Sequence, residues 1–196
     1  MFLENTINHA KQSGWMEVIC GSMFSGKTEE LIRRLRRAEM AGQRVEIFKP
    51  RVDNRYSEED VVSHNQNKIR STAVESPNEV LLLGSTCDVV GIDEAQFFDE
   101  SIVEVANQLA NHGTRVVIAG LDMDFMGRPF GPMPNLMATA EYVTKVHAIC
   151  KRTGNLANYS MRTGNSKDLV QLGETESYEA VSRRVFVDEF LDKRKA

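Results

Sequence analysis

This chain of 196 residues has few cysteines, little proline and no long apolar run. Its three cysteines, Cys20, Cys87 and Cys150, are an odd and widely spaced set, which argues against a disulfide framework and indicates reduced thiols. No stretch approaches the roughly 18 apolar residues of a membrane-spanning helix, and residues 2–13 are too polar for a signal sequence. We therefore expect a cytoplasmic protein that does not bind a membrane.

The chain also lacks an excess of basic residues. It has 24 Lys and Arg against 28 Asp and Glu, a formal charge of −4 and an isoelectric point near 5.7. Surfaces that follow nucleic-acid phosphates carry an excess of Lys and Arg, so we expect no nucleic-acid partner. The one basic cluster, at residues 33–37, fits a solvated or interface face of a helix.

A glycine-rich segment carries the strongest chemical signal. It comprises Gly21, Ser22, Met23, Phe24, Ser25, Gly26, Lys27 and Thr28. An apolar run at residues 16–20 precedes it and a helical pattern at 29–40 follows it, which is the context of a phosphate-binding P-loop. Glycines allow backbone N–H groups to converge on phosphate oxygens at a helix N-terminus. In such a loop Lys27 reaches the β and γ phosphates, and the Thr28 hydroxyl binds Mg²⁺.

Strand and helix patterns alternate along the chain. Strands are predicted at 16–20, 44–49, 88–92 and 115–119, and helices at 29–40, 77–83 and 100–111. This alternation predicts an α/β fold, a P-loop (RecA-like) doubly wound parallel sheet, over residues 14–145. Residues 51–75 are expected to form a functional loop or hairpin, and 121–134 a loop over the site. Residues 146–196, with a strand pattern at 142–150 and a helical pattern at 178–191, are expected to form a small appended subdomain.

An acidic pair completes the phosphate site. Asp93 and Glu94 follow the apolar strand at 88–92, and carboxyl ends of parallel strands meet at one edge of the sheet, so Asp93 should lie beside Lys27 and hold Mg²⁺. Glu94 is placed to take a proton from an attacking water in an ATPase or from a substrate hydroxyl in a kinase. These residues do not separate the two reactions.

At residues 93–98, DEAQFF, the chain resembles the thymidine kinases shared by animal cytosol and many bacteria. Further segments agree with that family: the P-loop with its internal Met23-Phe24, KPRVDNRY at 49–56, GLDMDF at 120–125 with PFG at 129–131, YSMR at 159–162, and GETESYEAV at 173–181. The last two resemble a lasso that closes over thymine. Together these segments run in order from about residue 15 to residue 185.

The resemblance implies ATP and thymidine as substrates, Mg²⁺ as cofactor and a homotetramer. It implies catalytic roles for Glu94 as general base, for Arg55 in neutralising the transferred phosphoryl group, and for Lys27. The nucleotide and its metal would be bound by the P-loop residues 21–28, Asp93 and Gln96. The nucleoside would be bound by Met23, Asp53, Phe97, Leu121, Phe125, Ser160 and Tyr178. Deoxyuridine would be a weaker substrate.

One feature departs from the family, which usually fastens its lasso with a structural zinc held by two Cys-x-x-Cys pairs. Here the first pair keeps Cys150 but has Thr153 in place of its second cysteine, and the positions of the second pair carry Ser182 and Val185. Structural zinc needs four good ligands. Since only Cys150 remains, we expect no structural zinc in this chain.

Two other functions compete with the kinase. A P-loop ATPase acting on a nucleic-acid or protein partner would need a basic groove and an Arg donated by a neighbouring subunit; the acidic balance and Arg55 weigh against both. A GTP-dependent switch lacks support because the chain has no Asn-Lys-x-Asp segment.

Overall fold

The apolar runs of the chain become strands of one parallel sheet. The computed structural model describes residues 14–51, 60–62, 68–163 and 178–193. Its strands are β1 Trp15–Gly21, β2 Val45–Pro50, β3 Asp60–Val62, β4 Lys68–Arg70, β5 Thr72–Val74, β6 Val89–Ile92, β7 Arg115–Gly120, β8 Tyr142–Val146, β9 Ala148–Ile149, β10 Leu156–Ala157, β11 Tyr159–Arg162 and β12 Tyr178–Val181. Its helices are α1 Lys27–Met40, α2 Pro77–Gly84, α3 Ser101–Asn111, α4 Met133–Thr139 and α5 Arg183–Lys193, with a short 3-10 helix at Ala95–Phe97.

The main sheet has six strands in the order β5-β2-β6-β7-β1-β8, and every pairing in it is parallel. Strand β7 therefore lies between the strand that precedes the P-loop and the strand that precedes the acidic pair. Because all strands point the same way, the loops after β1, β6 and β7 emerge at one edge. This confirms the predicted α/β parallel sheet and brings three distant segments together.

Helices cover both faces of the sheet, which explains why its strands are apolar throughout. Helix α1 packs on one face through Leu31, Leu35 and Ala38 against strand residues such as Ile19 and Val117. Helices α2, α3 and α4 cover the other face, around a larger cluster that contains Phe48, Ile92, Ile118, Ile102 and Leu136. Both clusters are almost fully buried.

The structure refines the segment predicted as a loop or hairpin. Strands β3 and β4 form an antiparallel hairpin, as expected, but β5 then joins the main sheet beside β2. This strand was not predicted because it has three residues and lies in a polar segment, so its apolar pattern is too short to recognise.

Two predictions near the C-terminus are wrong in part. The strand expected at 142–150 ends at Val146, and Ala148–Ile149 instead pairs antiparallel with Leu156–Ala157. The helix expected at 178–191 begins only at Arg183, because Tyr178–Val181 pairs antiparallel with β11. A partner strand satisfies the backbone there, which local periodicity does not reveal.

These C-terminal elements enclose a third apolar cluster, which we call the C-terminal cluster. Tyr159 and Phe186 stack in it with ring centroids 4.3 Å apart. Phe24 of the P-loop and Met123 pack against it. Its buried members are Ala148, Cys150, Ala157, Tyr159, Met161, Ala180, Val181 and Phe186. Within the described ranges, no helix is long and apolar enough to cross a membrane.

Candidate active site

The P-loop turns sharply between β1 and α1. Gly21 has φ 148°, and a Cβ there would lie 2.1 Å from the Val146 carbonyl oxygen, so a larger residue would push β8 away. Gly26 has φ 86° and immediately precedes Lys27, the first residue of α1. The backbone N–H groups at the start of α1 therefore face the edge of the sheet where the strands end, which suits an anion.

Lys27 is the buried cation of this site, with 9% of its surface exposed. Its Nζ donates a hydrogen bond to the Ser22 carbonyl oxygen at 2.9 Å, across the loop. Burial lowers the pKa of the Lys27 ammonium, while the carboxylates of Glu94 and Asp93 act in the opposite direction. A buried ammonium favours an anionic partner, and a nucleotide phosphate supplies one.

Asp93 faces the P-loop from the end of β6. Its Oδ2 accepts a hydrogen bond from the Thr28 hydroxyl at 3.5 Å, although the two residues are 65 positions apart. Burial, followed by the nearby Glu94 charge, raises the pKa of Asp93 to about 7. Carboxylate and hydroxyl oxygens are hard ligands that suit Mg²⁺, which completes its shell with water and substrate phosphates. Thr28 and Asp93 therefore fit the magnesium ion that a P-loop implies.

Glu94 differs from Asp93 in conformation and exposure. Its backbone is left-handed, with φ 51° and ψ 39°, which is a strained state for a residue with a side chain. Its N–H donates to Asp93 Oδ1 at 2.9 Å, and its carboxylate accepts from Gln96 Nε2 at 2.5 Å. The turn thus buries one carboxylate and exposes the next. An exposed, oriented carboxylate beside the phosphate site can accept a proton.

Half-buried aromatic side chains lie near the ends of β6 and β7. Phe97 contacts Phe130 edge to face, with ring centroids 5.7 Å apart. The guanidinium of Arg162 lies 4.0 Å from the Phe125 ring centroid and donates to the Tyr178 hydroxyl at 2.7 Å. Phe125 and Tyr178, both predicted to bind the nucleoside, thus contact the same buried residue, Arg162.

The P-loop is also bonded to the C-terminal strands. The Met23 N–H donates to Ser160 Oγ at 2.9 Å, and the Ser22 hydroxyl donates to the Ala157 carbonyl oxygen at 3.0 Å. Both hydroxyls are buried. These bonds connect the predicted phosphate-binding and nucleoside-binding residues directly.

The structure brings together most of the predicted site residues that it describes. Asp53 and Arg55 lie outside the described residues, as do residues 164–177 of the expected lasso. No role was predicted for Arg162, although it belongs to the YSMR segment that resembles the family, which was a usable signal. The ion pair of the buried Asp122 with Lys145, at 2.6 Å, which joins the ends of β7 and β8, was not predicted either.

The positions of the family's zinc ligands lie together but do not suit zinc. The Thr153 hydroxyl donates to Ser182 Oγ at 3.3 Å, and Val185 contributes only hydrocarbon. Neutral hydroxyls and a hydrocarbon do not replace thiolates. The described ranges contain no group of three or more His, Cys, Asp or Glu arranged to hold a metal. Among the residues that the structure describes, Cys150 thus belongs to no such group.

Hydrogen bonds reach the Cys150 sulfur instead. Burial acts to raise the pKa of its thiol, but bonds from the Thr153 hydroxyl and from the backbone of Ser182 and neighbouring residues outweigh it and lower the pKa to about 7. Nearby, the Arg152 guanidinium forms ion pairs with Glu179, at 2.5 Å, and with Glu189. These pairs join the β9–β10 turn to β12 and α5.

A glycine-rich turn before a helix, joined to a buried aspartate at the end of a nearby parallel strand, defines a P-loop nucleotide-binding protein of the α/β class. Known sequences identify the family within this class. The family model described as thymidine kinase matches residues 14–186, and this chain belongs to that family.

Individual relatives agree. The chain is 61% identical to a thymidine kinase of Rhodothermus sp. (strain ITI 518) over 180 aligned residues. The alignment covers 92% of this chain and 84% of that protein. The chain is 59% identical to the thymidine kinase of Bacteroides thetaiotaomicron, over 95% of this chain and 94% of the relative. Its likeness to a solved structure, the genome packaging NTPase B204 of Sulfolobus turreted icosahedral virus 2, is far weaker, with a TM-score of 0.46 and 13% identity over 72% of this chain and 79% of that one.

Proposed function

We propose that this protein transfers the γ-phosphate of ATP to the 5′-hydroxyl of thymidine, and more weakly to that of deoxyuridine, giving thymidine monophosphate for DNA precursor synthesis. The observation that carries the proposal is the acidic pair. Buried Asp93 is bonded to Thr28 of the P-loop, and exposed Glu94 stands one residue beyond it. We assign the metal–phosphate site to the first residue and the role of proton acceptor to the second, in a chain about 60% identical to thymidine kinases.

At the phosphate end, the loop from Gly21 to Thr28 binds the β and γ phosphates, and Lys27 leaves its bond to Ser22 to contact them. Thr28 and Asp93 hold Mg²⁺, which neutralises charge on the phosphates when bound. Arg55 supplies a further positive charge to the phosphoryl group in transfer, and Asp53 binds beside it; both roles rest on the family resemblance.

At the reacting end, the Glu94 carboxylate accepts the proton of the 5′-hydroxyl. The hydroxyl oxygen forms a bond to the γ-phosphorus as the bond to the bridging oxygen of ADP breaks. The Glu94 side chain is exposed, so a substrate can reach it, and the Gln96 bond holds its orientation. This geometry is what general-base catalysis requires.

At the nucleoside end, we assign the thymine pocket to Met23, Phe97, Leu121, Phe125, Ser160 and Tyr178. Two contacts support this assignment. The Met23–Ser160 bond joins the P-loop to the C-terminal strands. The Arg162 guanidinium, which donates to Tyr178, also stacks on the Phe125 ring and so brings those two aromatic side chains to one cation. Residues 14–145 then form the nucleotide-binding domain, and residues 146–196 a small lasso subdomain that closes the nucleoside site.

The wider assignments follow the family. We propose a cytoplasmic homotetramer that binds ATP, Mg²⁺ and thymidine and has no nucleic-acid partner. We also propose that it carries no structural zinc, because the residues at Cys150, Thr153, Ser182 and Val185 do not form a ligand set.

The test is ATP consumption with Mg²⁺ and each common deoxynucleoside in turn. We expect turnover to depend on both thymidine and Mg²⁺, with deoxyuridine a poorer substrate. Equal hydrolysis of ATP without any nucleoside would reject the kinase and favour a P-loop ATPase.

A further inference from the structure

Both ends of the Gln96 side chain are bonded to site residues. The side chain is 2% exposed and follows the acidic pair in the short 3-10 helix. Its Nε2 donates to Glu94 Oε2 at 2.5 Å, and its Oε1 accepts from the Leu121 N–H at 2.9 Å. A backbone N–H only donates and a carboxylate only accepts, so the two contacts fix the orientation of the amide.

The last residue of β7 and the segment after it approach Gln96 closely at two points. A Cβ at Gly131, where φ is 47°, would lie 2.4 Å from the Gln96 carbonyl oxygen. A Cβ at Gly120 would lie 2.9 Å from Gln96 Oε1 and 2.5 Å from Met133 Sδ. Glycines at both positions therefore allow the end of β7 and the loop after it to approach Gln96 this closely.

In the described part of the structure, Gln96 provides the hydrogen bond that orients the Glu94 carboxylate. That bond engages Oε2 and leaves Oε1 available to a substrate hydroxyl. The other end of the amide is bonded to Leu121, at the start of the predicted nucleoside loop. The Gln96 amide thus fixes the distance between the proton acceptor and that loop.

We propose that Gln96 is a positioning residue for Glu94, rather than a ligand of the nucleotide. The inference rests on the proposed function, in which Glu94 takes the proton of the 5′-hydroxyl. Gln96 acts through Glu94 on kcat and through Leu121 on thymidine binding. Misplacing a reacting group by about 1 Å costs on the order of 10²-fold in rate, so the loss of this bond has a measurable effect.

The experiment compares Gln96→Leu with Gln96→Glu, and uses Gln108→Leu as a matched control. Gln108 is a helix residue whose side-chain amide, among the described residues, donates to the exposed Glu104 side chain. We expect Gln96→Leu to lower kcat by about 10- to 100-fold and to raise the KM for thymidine, with the KM for ATP unchanged. Gln96→Glu keeps an acceptor for Leu121 but sets a second carboxylate against Glu94, so kcat falls while the KM for thymidine stays near normal.

A double-mutant cycle with Glu94→Gln identifies the route of the effect. If Gln96 acts on kcat through Glu94, Gln96→Leu lowers kcat little further in the Glu94→Gln background. A full additional loss there, or a normal kcat with a raised KM for ATP, overturns the proposal and favours a nucleotide ligand. If Gln96→Leu does not fold, a normal kcat for Gln96→Glu overturns it as well. A normal kcat for Glu94→Gln alone instead rejects Glu94 as the base, and with it the proposed mechanism.

Discussion

The phosphate site and the C-terminal cluster both lie at the edge of the sheet, but different interactions hold them together. The phosphate site buries charged groups, Lys27 and Asp93, whose pKa values are shifted by burial. The C-terminal cluster consists of apolar residues, and neighbouring charged residues such as Arg152 and Glu189 lie outside it. The first region is therefore organised for a charged ligand, and the second for packing.

The two regions therefore differ in which groups can be removed. Removing one member of a buried charged pair leaves the other unpaired in the interior, which is strongly unfavourable. A structural metal can be replaced if packing and surface polar contacts hold the same elements. In this chain the Tyr159–Phe186 stack lies in the same cluster as Cys150, and Thr153 is bonded to Ser182; we propose that these contacts hold the elements together without zinc.

The largest effect is expected in the phosphate site, from Glu94→Gln. This variant keeps the shape of the side chain and its place beside Gln96 but removes the proton acceptor, so kcat should fall on the order of 10²- to 10⁴-fold. Thymidine binding, measured by calorimetry, should survive. Glu104→Gln, at an exposed glutamate of α3, is the control. A near-normal kcat would show that the hydroxyl loses its proton elsewhere.

The phosphate half of the site was predictable because its determinants are local. The P-loop has fixed spacing, and Asp93 follows an apolar strand, so parallel pairing alone predicts that the two meet. Strand β7, which inserts between them, was recognised from its continuous apolar run. The left-handed turn at Glu94 was not predicted, because nothing in its side chain requires it.

The C-terminal half was less predictable because its contacts are distant in sequence. Tyr178–Val181 has both a helical and a strand pattern, and pairing with β11 decides between them. The family resemblance predicted nucleoside-binding roles for Ser160 and Tyr178, but it did not predict the stacking of Arg162 on Phe125. Contacts of this kind depend on packing between elements, which one sequence does not specify.

A second prediction concerns the proposed nucleoside pocket, whose assigned residues come from both regions. Thymidine and deoxyuridine differ by one methyl group, which is worth about 1–3 kcal/mol in an apolar pocket. We expect kcat/KM to favour thymidine by roughly 10- to 200-fold, with deoxyuridine still phosphorylated. Steady-state rates with both nucleosides measure the ratio. A ratio near one would place the methyl group outside the apolar part of the site.

A third prediction tests whether packing has replaced the metal. Wild-type protein purified without added zinc should contain no stoichiometric zinc, and a chelator should leave its Tm unchanged. The triple variant Thr153→Cys, Ser182→Cys and Val185→Cys would join three thiols to Cys150, giving the four ligands of a tetrahedral site. It should bind one zinc and acquire a chelator-sensitive Tm, because metal affinity is coupled to folding. Stoichiometric zinc in the wild type would show that the site was relocated rather than lost.

The smallest expected effect is a pH dependence that originates at Cys150. The pKa of its thiol is about 7 in the folded protein against an ordinary value of 9.0. Between these values the folded state binds fewer protons than the unfolded state, so stability rises with pH. This contribution is fully present above pH 9 and is lost as pH falls through 7.

Cys150→Ser keeps a hydrogen-bonding group but does not titrate, so the difference in unfolding free energy between wild type and variant should grow from pH 7 to 9. Urea denaturation at several pH values measures it. A difference that shrinks over this range would show that burial outweighs the hydrogen bonds to the sulfur, and that the C-terminal cluster excludes charge at its base as well as in its interior.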